Sequence, residues 1–312
     1  MKRRSPGSLY RRDHSYEPFP TTSRMSDSST QYGDFKLYRY DPSMAAAVIF
    51  IIAFILITAL HFYQMIRTKT YFFIPFVIGG LFEVIGFIAR AKSSQEAPNF
   101  SIPAYSIQAI LILVAPALFA ASIYMELGRI ILLTDGEQHS IIPKKWLTKI
   151  FVIGDVISFC LQAAGGGIMA SGTLTALENG EHITIGGLVV QIIFFGFFII
   201  VSITFNIRMN RVPTGRSVIA QNPWKKHIHT LYGGSALILV RSIFRLAEYA
   251  QGNDGYLISH EWFLYIFDAC LMFATMVLFA WFHPSEIWAM LNKNGGKMVS
   301  HGYKVEAAIP LM

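Results

Sequence analysis

Seven stretches of this chain are apolar over roughly the 20 residues that a membrane-crossing helix needs, and polar segments separate them. They fall at about 44–66, 71–89, 104–128, 147–170, 183–207, 229–250 and 262–282. The runs are continuous rather than short and alternating, so the pattern predicts helices and not a β-barrel. Tyr71, Tyr105, Trp146, Trp262, Trp281 and Trp288 stand near the ends of several runs, where interfacial aromatic belts form. The fold class expected is all-α: a polytopic membrane protein with seven transmembrane helices.

Most runs also carry charged or amide side chains. An ionisable group at the centre of a membrane helix costs roughly 2.5–3.5 kcal/mol on insertion scales, so it faces a partner or has a task. Glu83 and Arg90 share a face of the second run. Glu126 and Arg129 form an (i, i+3) pair near the end of the third. Asp155, Ser158 and Gln162 make a stripe in the fourth that leads into Gly165-Gly166-Gly167. This stripe reads equally as an interhelical hydrogen-bond seam and as a substrate-facing surface. Arg241, Arg245 and Glu248 share one face of the sixth run, and Glu261, Tyr265 and Asp268 one face of the seventh. The near balance of acids and bases predicts a mutually paired internal network. Glu83, Asp155, Gln162 and Asp268 are the candidate substrate contacts. Arg90, Glu126, Arg129, Arg241, Arg245, Glu248 and Glu261 are the candidate charge network. Pro116 removes a hydrogen bond inside the third run, as a fixed kink or as a hinge.

Composition supports the membrane reading: 53% of residues are hydrophobic and only 14% charged. Soluble chains carry about 25% charged residues. The formal net charge of +7 comes largely from Lys and Arg flanking the runs or lying in the N-terminal segment, so nucleic acid is not the expected partner. Membrane lipid or an amphiphilic small molecule is, and a homo-oligomer or accessory protein is left open. Segment 1–43 is polar and basic and is expected to be a disordered tail, solvated or touching anionic lipid. Segment 44–283 is the helical domain and 284–312 a cytoplasmic tail. No cleavable signal peptide is expected, the first run acting as an uncleaved anchor.

Segments after the odd-numbered runs hold thirteen Lys and Arg against two after the even-numbered ones, Arg90 and Lys92. The positive-inside rule then puts the C-terminus in the cytoplasm and the N-terminus outside. The single N-x-[ST] sequon, Asn99-Phe100-Ser101, falls in a predicted outer loop, which makes Asn99 a possible N-glycosylation site.

Other signals narrow the function. No G-x-x-x-x-G-K-[ST] loop is present, so no ATPase of that type is expected. The last run lacks a lysine for a retinal Schiff base. His61, His227, His229, His260 and His283 form no pair at metal-ligand spacing within a run, and His227 and His229 read as a solvated pair. Cys160 and Cys270 lie inside runs, where a structural disulfide is not expected. The expectation is a non-enzymatic protein without metal or cofactor.

Several pieces occur together in order: Tyr38-Arg39-Tyr40-Asp41-Pro42-Ser43, Glu83-Val84-Ile85-Gly86-Phe87-Ile88-Ala89-Arg90, Ala115-Pro116-Ala117 with Tyr124, and Gly128-Arg129-Ile130-Ile131. The stripe of Asp155, Ser158, Gln162 and Gly165–Gly167 follows, then Arg241, Arg245, Glu248 and Gly252, and finally Glu261, Tyr265, Asp268 and His283-Pro284. Over about residues 38–285 the chain resembles the fungal RTA-like family of seven-helix proteins, also called the lipid-translocating exporter family. The resemblance implies a fungal plasma-membrane or endomembrane protein that moves, or confers tolerance to, amphiphiles such as sphingoid long-chain bases, sterol-like toxicants or porphyrins. It carries over no binding residue. The alternative expectation is a seven-helix receptor or sensor of membrane-lipid or toxicant stress.

Overall fold

The computed structural model describes residues 40, 42–96, 101–169, 174–219, 222–252, 255–292, 296–300 and 302–308. Most of the N-terminal segment and the sequon residue Asn99 lie outside the described residues.

The apolar runs form α1 (Met44–Thr68), α2 (Ile74–Gln95), α3 (Ile102–Leu133), α4 (Lys144–Met169), α5 (Leu174–Arg211) and α6 (Trp224–Ala250). The seventh run is composite: α7 (Glu261–Leu264), a π-helical stretch at Tyr265–Cys270, and α8 (Leu271–Trp281). Six of the seven are long and apolar enough to cross a membrane. The seventh, α6, is too polar for that measure because it opens on Trp224-Lys225-Lys226-His227 and carries Arg241, Arg245 and Glu248. It is held among its neighbours instead, packing on α3, α5 and α8. The protein is a multi-pass membrane protein, predominantly helical with little strand.

The Arg90 end of α2 meets the starts of α1 and of the seventh run through Ser43 and Glu261, and Gln64 near the end of α1 meets Ala280 near the end of α8. This defines two ends: the Ser43 end, where α1 begins, and the hairpin end, where the chain finishes. Ser43 starts α1 by accepting a bond from the Ala46 amide (3.4 Å). The segment read from sequence as a C-terminal tail holds structure of its own. α9 (Ser285–Leu291) is followed by an antiparallel hairpin of β1 (Gly296–Ser300) and β2 (Lys304–Ala308). The Val299 amide donates to Ser285 Oγ (3.0 Å), and the Gln64 amide group donates to Ala280 O (2.9 Å) and to Gly302 O. The hairpin thereby covers one end of α1 and α8.

Ile49, Ile52, Leu56, Ile193 and Ile200 are exposed on the outside of the bundle, as a lipid-facing surface requires. Inside, aromatic rings make two layers. Phe50, Phe54, Phe87 and Tyr265 stack toward the Ser43 end with centroids 5.3–6.1 Å apart. Phe73, Phe76, Phe119 and Phe279 pack nearer the hairpin end, with Phe73–Phe76 at 4.4 Å and Phe76–Phe119 at 4.6 Å. Gly79 lets α2 and α3 approach: a Cβ there would lie 2.7 Å from the Phe119 ring.

A buried charge cluster as the candidate functional site

Between the two aromatic layers lies the densest group of buried charges. α6 turns Arg241 and Arg245, one helical turn apart, toward Asp268 on the π-helical stretch. Arg241 Nε donates to Asp268 Oδ1 (2.8 Å) and Nη2 to Oδ2 (3.4 Å). Arg245 Nη2 also reaches Asp268 Oδ2, while its Nη1 donates to Glu248 Oε2 (2.9 Å). Two cations thus share two carboxylates. The π-helical stretch matters here, since such wide turns displace side chains from α-helical register and recur at functional sites.

Pro116 supplies a further partner. Lacking an N–H, it cannot donate to the carbonyl four residues earlier, that of Ile112. Arg241 Nη2 donates to that freed oxygen (3.0 Å). The proline read from sequence as a kink or hinge therefore presents a backbone acceptor to a buried guanidinium.

Glu83 on α2 joins the cluster without a hydrogen bond. It is fully buried, and among the described residues neither carboxyl oxygen has a partner. Asp268, Arg241 and Arg245 are close enough to act on it electrostatically. Arg241 Nη1 and Arg245 Nε are likewise buried without a bond. Unpaired donors and an unpaired acceptor group therefore coexist at one place, which is costly in a membrane interior.

The remaining predicted residues fall elsewhere, and the single network expected from sequence divides into layers. At the Ser43 end, Arg90 Nη2 donates to Glu261 Oε1 (2.7 Å) and to Tyr40 Oη (3.0 Å), and Nε donates to Tyr265 Oη (3.0 Å). The Ser43 amide donates to the same Glu261 oxygen (2.8 Å). Arg90 and Glu83 share a face of α2, but the arginine extends toward the helix end and bonds the seventh run instead.

At the hairpin end the expected pair, Glu126 and Arg129, act on each other electrostatically but share no hydrogen bond among the described residues. Glu126 Oε1 lies 3.2 Å from His227 Nδ1, and Arg129 stacks its guanidinium over the Phe72 ring at 3.6 Å. His227 is not solvated, as its basic surroundings led one to expect. It is fully buried, with Nε2 facing Glu286 Oε2 at 3.1 Å. Glu286 on α9 also pairs with Lys226. His283 caps α9 rather than only ending the seventh run, its Nδ1 accepting from the Ser285 amide (3.2 Å).

The stripe on α4 forms a third location. Tyr124 Oη donates to Asp155 Oδ2 (2.9 Å). Ser158 Oγ donates to Gly187 O (2.7 Å), and the Gln162 amide nitrogen bonds Ser158 Oγ (2.7 Å) and Gln191 Oε1 (3.2 Å). Small residues make this possible: a Cβ on Gly187 would lie 2.9 Å from Ser158 O. Ser158 and Gln162 thus lie in an α4–α5 seam. Tyr124 stands about 18 Å along α3 from Ile112, at 1.5 Å per residue. The structure brings Glu83 and Asp268 together, while Asp155 bonds Tyr124 and Gln162 bonds Ser158 and Gln191.

The sequence reading missed Tyr40, Glu286, Phe72 and the Ile112 carbonyl as partners. Only the last had a local signal, Pro116 four residues on. No group of three or more metal-ligating side chains occurs among the described residues.

Comparison with known proteins bears on this geometry. No solved structure matches the chain. Protein RTM1 of Saccharomyces cerevisiae is 37% identical over 294 residues, covering 82% of this chain and 93% of that protein. Protoporphyrin uptake protein 1 of the same species is 39% identical over 290 residues, covering 81% and 93%. A more distant relative, sphingoid long-chain base transporter RSB1, is 26% identical over 325 residues, covering 93% and 82%. The family described as RTA1 like protein matches residues 76–290, which include Glu83, Arg241, Arg245, Glu248 and Asp268 of the cluster. The chain belongs to the RTA1-like family.

Proposed function

We propose that this protein translocates cationic amphiphiles, of which long-chain amino alcohols are the best fit, toward the outer leaflet of a fungal plasma membrane. The observation that carries the reading is the set of unpaired groups in the middle cluster. Glu83 offers two acceptor oxygens, while Arg241 Nη1 and Arg245 Nε offer donors. An ammonium group bearing neighbouring hydroxyls satisfies both: the ammonium donates to Glu83 and the hydroxyl oxygens accept from the arginines. Asp268 holds the arginines in place, with Glu248 and the Ile112 carbonyl completing their bonds. Asp155 and Gln162 are not part of this site.

The hydrocarbon chain needs a separate path. An apolar groove of about 420 Å³ runs along the lipid side of α1 and α8, lined by Ile49, Ile52, Leu56, Leu60 and Phe273. Phe273 also packs edge-on against Phe54, which borders the layer above the cluster. A single chain laid in this groove keeps its headgroup in the protein and its tail in an apolar phase. The cluster is closed toward both ends by aromatic layers, so transport requires each layer to part in turn. Arg90, Glu261, Tyr265 and Tyr40 close the side that the positive-inside rule makes extracellular. The names of relatives support the substrate class, since one is called a sphingoid long-chain base transporter and another a probable lipid transporter. The protein acts in this account as a carrier and not as an enzyme.

Purified protein in liposomes tests this. A fluorescent C18 amino-diol placed in the inner leaflet becomes accessible to an external quencher faster than in protein-free vesicles. Equal rates in the two preparations contradict the proposal and favour a receptor, which senses such molecules without moving them.

A further inference from the structure

We infer that Glu83 exchanges a proton for the cationic headgroup, so that outward movement of the amphiphile is driven by inward movement of a proton. This rests on the translocation proposed above and adds its energy source. Arg241 and Arg245 are balanced by Asp268 and Glu248 through direct ion pairs. Glu83 is then the odd carboxyl, fully buried and with no hydrogen bond to either oxygen among the described residues. Among those residues, the charged groups acting on its carboxyl are Asp268 from the π-helical stretch and Arg241 and Arg245 from α6. The arginines' attraction is already shared with Asp268, which repels Glu83. Around Gly79, Gly80 and Gly86, the glycines on either side of Glu83 in α2, lie Thr58, Ala115, Phe119, Ile112 and Met276, none of which titrates.

A buried carboxylate without donors is too costly to persist in a membrane interior, so the site holds one positive charge at all times. Either a proton occupies a Glu83 oxygen, or the headgroup cation sits against it. When the headgroup enters, the O–H bond of Glu83 breaks and its proton leaves to water; when the headgroup departs, Glu83 takes a proton from the receiving side. The net charge of the cluster is the same in both forms. The cluster therefore crosses between its two open states only when loaded with one or the other, which is the condition for obligatory exchange.

The test uses the full chain in liposomes and a permanently charged probe, an N,N,N-trimethyl C18 amino-diol with a fluorescent tail. This probe has no N–H and meets Glu83 by charge alone, and it cannot cross by losing a proton of its own, so any response to a pH gradient comes through the protein. With the outside one pH unit more acid, one-for-one exchange concentrates the probe in the outer leaflet about tenfold over the inner at equilibrium. A pH dye in the lumen reports acidification as probe leaves. Glu83→Asp keeps both signals at lower rate, and Glu83→Gln loses both. If the wild-type protein moves probe but the final distribution ignores the gradient, the proton coupling is wrong while translocation stands. If Glu83→Gln still accumulates probe with the gradient, the proton site lies elsewhere. If the wild-type protein moves no probe and no amino-diol, the underlying translocation reading fails instead.

Discussion

The α4–α5 seam and the middle cluster are both polar and both buried, yet they satisfy their bonds in opposite ways. In the seam, Ser158, Gln162, Gln191 and the Gly187 carbonyl use neutral groups, and nearly every donor finds an acceptor. Among the described residues of the seam, the Gln162 carbonyl oxygen is the atom buried without a partner. In the cluster, four charged side chains pair with one another, and the leftover atoms include both oxygens of Glu83 and one nitrogen on each arginine. Neutral hydrogen bonds between membrane helices are worth roughly 0.6 kcal/mol on average, so a seam of this kind is modest glue. Ionic groups left partly unsatisfied are a far larger cost, and a sequence tolerates that cost where a ligand completes the set. The hairpin-end cluster is intermediate: His227 is clamped between Glu126 and Glu286, while Glu126 Oε2 and Arg129 Nε are buried without a bond among the described residues.

The contrast can be broken most forcefully at Asp268. Asp268→Ala leaves Arg241 and Arg245 facing each other with one carboxylate fewer, and breaking a buried pair this way costs about 3–5 kcal/mol. The expected outcome is loss of folded protein, read as low recovery in detergent and a collapsed melting transition. A smaller effect is expected at the hairpin end. His227→Ala removes the group between two carboxylates and unlatches α9, at a cost of about 1–3 kcal/mol. Its melting temperature falls, while amphiphile flux at matched protein level stays near wild type. Pro116→Ala sharpens the comparison differently. It returns an N–H that competes with Arg241 for the Ile112 carbonyl, so flux falls while thermal stability holds or rises. The least effect belongs to the seam: Gln162→Leu removes an unsatisfied oxygen along with two weak bonds, and stability changes by less than about 1 kcal/mol with flux unchanged.

How much of this could be read in the sequence depends on the range of the interaction. The helices were legible because about 20 apolar residues in a row admit one solution in a bilayer. Helix faces were legible too: Asp155, Ser158 and Gln162 were expected on one face, and all three are buried. Partners were not, because a face does not say which helix it meets. Arg90 was read beside Glu83 and bonds Glu261. Glu126 was read beside Arg129 and bonds His227, about a hundred positions away. Sharing a face was read correctly for Glu83 and Arg90, but the hydrogen-bond partners came from other helices, which long side chains can reach. A mutually paired network was expected for Arg241 and Arg245, and both pair with Asp268. Pro116 carried information that was available and unused: the carbonyl it frees is fixed by the four-residue spacing of the helix, whatever the tertiary fold.

The central claim is that the middle cluster, and not the α4 stripe, receives the headgroup. The most direct measurement compares Glu83→Gln with Asp155→Asn in liposomes, at equal protein density, following the fluorescent C18 amino-diol. The account predicts that Glu83→Gln falls to the protein-free rate and that Asp155→Asn moves the probe at close to the wild-type rate. The reverse pattern, with Asp155→Asn inactive and Glu83→Gln unimpaired, would contradict it.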